Sequence, residues 1–275
     1  KDNVYNAMLK ILKKIKFNEN ENRMSKVAAT EDVVKNYKKG KNKNLDYLLS
    51  KRYGWMNNFI QSSEVGLEVG AGAGLSKYFI QNKNLKISDF SDHKHLDFKN
   101  VDAQKTGFSE NSFDYIISSN MLHHIPYPIK LFEETHRILK KGGKLIIEEV
   151  TCSLTLQLIT ILMKHEGFDF TVDPWSKTQP VTDEKKIWDG NIAVTNLIFD
   201  NINLFEKNIG HLFKIEHHKR YECLIFLNSG GVCSTTFCIP LNNSVLKILD
   251  KIDGFLTKYF PNIFATGRQI VLKKI

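Results

Sequence analysis

Cysteine is sparse in this chain and follows no pairing pattern. Cys152, Cys223, Cys233 and Cys238 make no C-x-x-C motif. With no secretory leader in view, they read as reduced thiols of a cytoplasmic protein. Long hydrophobic runs are missing as well. No stretch reaches the about 18 apolar residues that cross a bilayer. The longest candidate, Leu154 to Met163, is interrupted by Gln157 and Thr160. The segment Ser119-Asn120-Met121-Leu122 lacks the N-P-P-Y pattern that gathers an amino-purine, and no Pro-Cys pair offers a nucleophile for pyrimidine chemistry. The glycine and aromatic pattern of an RNA-binding sheet is also missing. Internal repeats and low-complexity linkers are absent. A nucleic-acid substrate therefore has little support.

Charge is present but unevenly placed. Residues 1–60 carry 14 Lys/Arg against 6 Asp/Glu, while the rest of the chain carries 25 against 24. The body is near neutral and the basicity belongs to an N-terminal arm. The plainest account of the arm is a solvated helical face, and peripheral contact with an acidic membrane surface or nucleic acid is the alternative.

The most informative segment is Val65-Gly66-Leu67-Glu68-Val69-Gly70-Ala71-Gly72-Ala73-Gly74, a short buried strand entering a glycine-rich turn. Glycines at alternate positions leave the backbone bare, so a ligand can approach its N–H groups. Leu75 to Ile80 has helical apolar spacing, which completes a strand–turn–helix cradle. Leu75 stands where a dinucleotide G-x-G-x-x-G motif places glycine. Glu68 suits a cationic group better than a pyrophosphate. The turn therefore favours S-adenosylmethionine (SAM) over NAD or FAD.

From residue 65 strands and helices alternate, which implies α/β architecture with a parallel sheet. Strands are expected at 65–69, 85–89, 98–101, 113–118, 144–150, 213–219 and 268–274. Helices are expected at 3–17, 30–39, 44–61, 128–140, 153–164, 191–208 and 242–259, with an irregular stretch at 166–190. Pro128 opens its helix as capping chemistry prefers, and Gly142-Gly143 closes it. This organises the chain as a basic helical arm (1–61) and an α/β domain (62–275). The domain has a core at 62–152 and substrate-side additions at 153–210 and 222–262.

Asp89 ends the second strand about twenty residues past the turn, where a carboxylate can take both ribose hydroxyls or serve as a turn residue. Asp102, with the Ala103 N–H, can meet an adenine edge or stand as an exposed loop acid. His123 and His124 follow at the pocket mouth, as a catalytic base for the acceptor or as turn packing. His165, Glu166 and Asp169 lie on the expected substrate side, and Asp173-Pro174-Trp175 shapes the same lid. His165, Glu166 and Asp169 lack an obvious fourth ligand, so no metal is assigned. His217 and His218 alternate on a strand and read as structural.

Six motifs in order resemble the class I SAM-dependent methyltransferases: Glu68 to Gly74, Ser88-Asp89-Phe90-Ser91, Val101 to Gln104, Asn111 to Asp114, Met121 to Ile125, and Arg137 to Lys144. They look most like the small-molecule, quinone-biosynthesis branch. Residues 151–275 are more loosely similar to members from bacterial polysaccharide and secondary-metabolite genes. The resemblance implies a Rossmann-like sheet of seven strands, the last antiparallel, with SAM across the carboxyl ends and S-adenosylhomocysteine as product. It implies that Glu68, Gly70 and Gly72, with Ala71 and Gly74 in the same turn, hold the methionine end. Asp89 and Phe90 would take ribose and adenine, Asp102 and Ala103 the adenine edge, and Asn120 with Met121 would border the methyl group. The expected acceptor is a small molecule, sugar or lipid-linked intermediate methylated on oxygen, nitrogen or carbon. A SAM-binding module without turnover and an RNA methyltransferase are the alternatives.

Overall fold

The structure, a computed structural model, describes residues 13–17, 33–34, 37, 42–186, 188–232 and 236–275. Its centre is a six-stranded sheet of β2 (Gly66–Val69), β3 (Leu85–Ile87), β4 (Phe113–Ser119), β5 (Leu139–Val150), β7 (Phe213–Tyr221) and β8 (Gly267–Lys274), in the order β3-β2-β4-β5-β8-β7. The β3-β2-β4-β5 half is parallel. β8 runs antiparallel to both β5 and β7, so β7 shares the direction of the parallel half. A two-residue β1 (Lys14–Ile15) pairs with β6 (Phe168–Asp169) as a separate ribbon.

Period-2 alternation divides the core between the two faces. Leu145 and Ile147 of β5 join Leu67, Ile116 and Leu272 under α2 (Pro128–Ile138), α4 (Val194–Phe199) and α5 (Ile202–Ile209). Ile146 joins Tyr115, Ile117 and Val271 on the opposite face, against Met56 and Ile80. The arm contributes α1 (Lys43–Gly54), whose first turn is capped by the Asn42 side chain. Its Leu45, Leu48 and Leu49 pack with Ile225 of α6 (Leu224–Leu227) and Leu246 of α7 (Asn243–Tyr259). α3 (Leu154–Met163) and α8 (Pro261–Phe264) complete the helices used below.

The structure corrects several sequence expectations. Among the described residues the main sheet has six strands, because the strand expected at 98–101 is reduced to one parallel bridge, Ser88↔Phe98. Asn100 turns left-handed there (φ 54°), which ends extended pairing. The helix expected over 3–17 is a strand at 14–15, and 3–12 lie outside the described residues, as do most of 30–39 and the loop 18–26. The helix after the glycine turn is a single 3-10 turn, Leu75–Tyr78. The 128–140 helix stops at Ile138, and β5 begins at Leu139 and takes in both glycines. Its register shifts there, since Phe113 faces Leu139 and Tyr115 faces Lys144. A Cβ on Gly143 would lie 2.8 Å from the Lys140 carbonyl and 2.9 Å from that of Asp114, so only glycine fits the kink. The 191–208 helix breaks at Asp200, and Asn201 caps the second half through the Leu204 N–H.

Gly66 is needed for a close approach, because a Cβ there would overlap the buried ring of Tyr115. Gly66→Ala is expected to cost about 1–3 kcal/mol, the scale of overpacking a filled core. Urea unfolding measures this, and an unchanged midpoint would refute the packing.

Candidate active site

One cavity of about 880 Å³ opens at the carboxyl ends of β2, β4 and β5. Such crevices are where open α/β sheets bind ligands. Its walls join three parts of the chain. The core supplies the glycine turn and the loops after β3 and β4. The arm supplies Arg52 and Tyr53. The additions supply Leu156 and Thr160 of α3, Trp188, Phe226, Val232 and Phe237.

At one end lie Gly70, Ala71, Gly72, Asp89, Phe90, Asp102 and Ala103. Gly70 and Gly72 have positive φ (66° and 49°), and a Cβ on Gly72 would point into open space. One Asp89 oxygen accepts the Gly72 N–H at 2.8 Å, and the other accepts the Ser91 N–H and hydroxyl at 2.9 and 2.7 Å. That carboxylate fixes the turn against the end of β3. Asp102 accepts the Gln104 N–H at 2.8 Å, while the Phe90 ring stands exposed at the rim. Asn120, left-handed at φ 49°, and buried Met121, which packs on Gly70, also line the cavity.

The other end gathers His123, His124, His165 and Glu166. His123 is buried on the 3-10 turn Leu122–His124. Its Nδ1 lies 2.6 Å from Glu149 Oε2 and its Nε2 lies 3.5 Å from Glu166 Oε2. Glu149 also accepts the Leu122 N–H at 2.7 Å, so it sets the turn as well as the ring. His124 Nε2 is 3.5 Å from Glu166 Oε1. Burial opposes charge on His123, but the two carboxylates outweigh it and raise its pKa to about 10. Burial and the neighbouring His123 charge push His124 down to about 4. Both glutamates stay below the usual carboxylate range, because the imidazoles outweigh their burial.

Four of the residues expected to bind cofactor or substrate do not line this cavity. Glu68 is buried behind the turn and accepts the Ser76 hydroxyl. Gly74 (φ 64°) packs on Ile87 and serves the turn's shape. Asp169 faces the arm, 2.7 Å from Lys14 Nζ, and also accepts the Thr171 N–H. Trp175 packs against the main core. Glu149 is the residue that sequence reasoning missed. Its signal is the pair Glu148-Glu149 in an otherwise apolar buried strand, where a charge needs a partner. Glu148 turns to the opposite face and accepts from Trp55 at 3.1 Å and Tyr221 at 2.5 Å.

Residues 67–147 match the family model described as a methyltransferase domain. Over 140 residues, 42% of this chain, it is 30% identical to the hybrid PKS-NRPS synthetase iccA of Talaromyces variabilis, covering 3% of that protein. Over 235 residues, 76% of this chain, it is 28% identical to the lovastatin nonaketide synthase mokA of Monascus pilosus, covering 7% of it. The chain thus spans a small fraction of these curated relatives. A SAM-dependent methyltransferase of Thermotoga maritima shares the fold, with a TM-score of 0.50 over 90% of this chain and 98% of that one at 15% identity.

Glu68 generates a test of its surroundings. Burial outweighs the Ser76 hydrogen bond and raises its carboxyl from 4.5 to about 8. Below the lower value both folded and unfolded states hold the proton. Between the two values only the unfolded state releases it, so stability falls as pH rises and levels off above about 8. Glu68→Gln is expected to remove this loss and gain roughly 1–4 kcal/mol over wild type at pH 8, with little difference near pH 4.5. Thermal melts across that range measure it, and an advantage that shrinks with rising pH would refute it.

Proposed function

We propose, for a chain whose residues 67–147 belong to the class I SAM-dependent methyltransferase family, that it transfers a methyl group to a small acceptor enclosed in the cavity. The observation that carries this reading is the continuity of that cavity. Its glycine-turn end and its histidine end share one space of about 880 Å³, near the top of the about 300–1,000 Å³ usual for small-molecule sites. The bare Gly72 backbone and the Asp89 and Asp102 carboxylates suit the methionine, ribose and adenine parts of SAM. When bound, SAM supplies an activated methyl group and leaves as S-adenosylhomocysteine.

The residues of the chain then have distinct tasks. Gly70 to Gly72 and Asp89 bind and orient the donor. Asn120 and Met121 border the region between donor and acceptor. His123 and His124, with Glu166, prepare the acceptor's nucleophilic atom. The arm residues Arg52 and Tyr53, with Phe226, Val232 and Phe237, exclude water over both. Positioning supplies much of the acceleration, because the methyl donor is already activated. His165 contacts the acceptor, while Asp169 and Trp175 hold the surrounding lid rather than the acceptor itself. Most of the curated relatives are named as polyketide or hybrid synthetases and one as a phosphoethanolamine N-methyltransferase, which favours a small metabolite acceptor over a nucleic acid.

Calorimetry with SAM, S-adenosylhomocysteine and NADH tests the donor site. Binding of the first two and none of NADH is expected, and the reverse would refute it. Gly72→Val is expected to abolish SAM binding, and Asp89→Ala to weaken it by roughly 1.5–3 kcal/mol. His124→Gln is expected to lower turnover about 100-fold or more with SAM affinity nearly kept. Unchanged turnover would remove His124 from the chemistry.

A further inference from the structure

The histidine end of the cavity has the donor set of a metal centre. His123, His124 and Glu166 each offer one ligand atom, and the three atoms lie within 4.8 Å of one another. Two of the separations, His123 Nε2 to Glu166 Oε2 and His124 Nε2 to Glu166 Oε1, are 3.5 Å. A tetrahedral zinc with bonds of about 2.0–2.1 Å has ligand-to-ligand edges of about 3.4 Å. The trio thus needs little rearrangement to close on such an ion.

Three further observations agree. Glu149 sits 2.6 Å from His123 Nδ1, the outer nitrogen, which leaves Nε2 turned to the trio. A carboxylate on the far nitrogen is the usual partner of a metal-bound imidazole. Glu166 holds a left-handed backbone (φ 56°), a conformation that is costly for a side chain of this kind and that sets its carboxylate beside both rings. Gly190 seats the cluster from behind, since a Cβ there would come 3.1 Å from His124 Cε1 and 3.2 Å from Glu166 Cδ.

We propose that His123, His124 and Glu166 bind a divalent cation of the zinc class, with Glu149 orienting His123 and the remaining coordination position facing the cavity. All three ligands line that cavity, so an oxygen of the acceptor can take the open position and be polarised there. The acceptor would then carry a hydroxyl, enol or carbonyl oxygen at or next to the methylated atom. This last step rests on the methyl-transfer reading, whereas the metal site does not.

The test is titration of the chelator-treated full chain with Zn²⁺ by calorimetry and with Co²⁺ by visible absorption, with SAM titrated in parallel. The expected result is one ion per chain and the intense spectrum of four-coordinate cobalt. Glu166→Gln and His124→Gln are each expected to weaken binding about 100-fold or more, and Glu149→Gln about 10–100-fold. His217→Gln, remote and stacked on Trp55, is expected to bind as wild type does. Thermal melts check that each variant folds, and the wild-type titration stands whatever they show. SAM binding with no stoichiometric metal would overturn the metal site and leave the methyl-transfer reading in place. Metal bound equally by Glu166→Gln and His124→Gln would also overturn it. Metal binding with no SAM binding would support the site and overturn the methyl-transfer reading.

Discussion

Two adjacent carboxylates at the end of β5 hold the working parts of this molecule together. Because side chains alternate along a strand, Glu148 and Glu149 leave the sheet on opposite faces. Glu149 fixes the 3-10 turn that carries both histidines. Glu148 receives Trp55 from the arm and Tyr221 from β7, beside the buried Arg52–Glu222 pair. Burial and the neighbouring Glu222 charge hold the Glu148 carboxyl well above its usual range, so Glu148 can stand here only because those donors surround it. The histidine-bearing turn and the arm are thus positioned from one point on the central strand.

The parallel half of the sheet was legible because each of its strands is an apolar run bounded by turn residues. The glycine turn was legible for a different reason, since only glycine meets its positive φ values and leaves its backbone open. Three features were hidden. Ile15 falls in an apolar spacing of helical type, yet it pairs with Phe168 across a ribbon, and that tertiary partner overrides the local pattern. The third expected strand fails at Asn100, where a polar residue turns left-handed. Gly142-Gly143 looked like a helix stop but marks a kink inside β5.

The site divides in the same way. Gly70, Gly72, Asp89 and Asp102 meet in one cavity, a grouping legible from their positions relative to strand ends. Pairing of His123 with Glu149, and of both histidines with Glu166, joins residues that are distant in sequence. Spacing suggested instead that His165, Glu166 and Asp169 act together. The chain separates them, because Glu166 turns inward to the histidines while Asp169 turns to Lys14.

β8 has a consequence for the order in which the chain takes shape during synthesis. It is the last strand of the sheet in sequence but lies between β5 and β7, which meet only through it. Until residues 267–274 leave the ribosome, β5 has one exposed edge and β7 has no neighbour. The buried Arg268 can reach Asp200, and Glu222 can sit against Gly267, only once that strand is in place. The sheet therefore closes only after β8 has been made. Until then the exposed edge of β5, rich in isoleucine and leucine, is the segment most in need of shielding by chaperones.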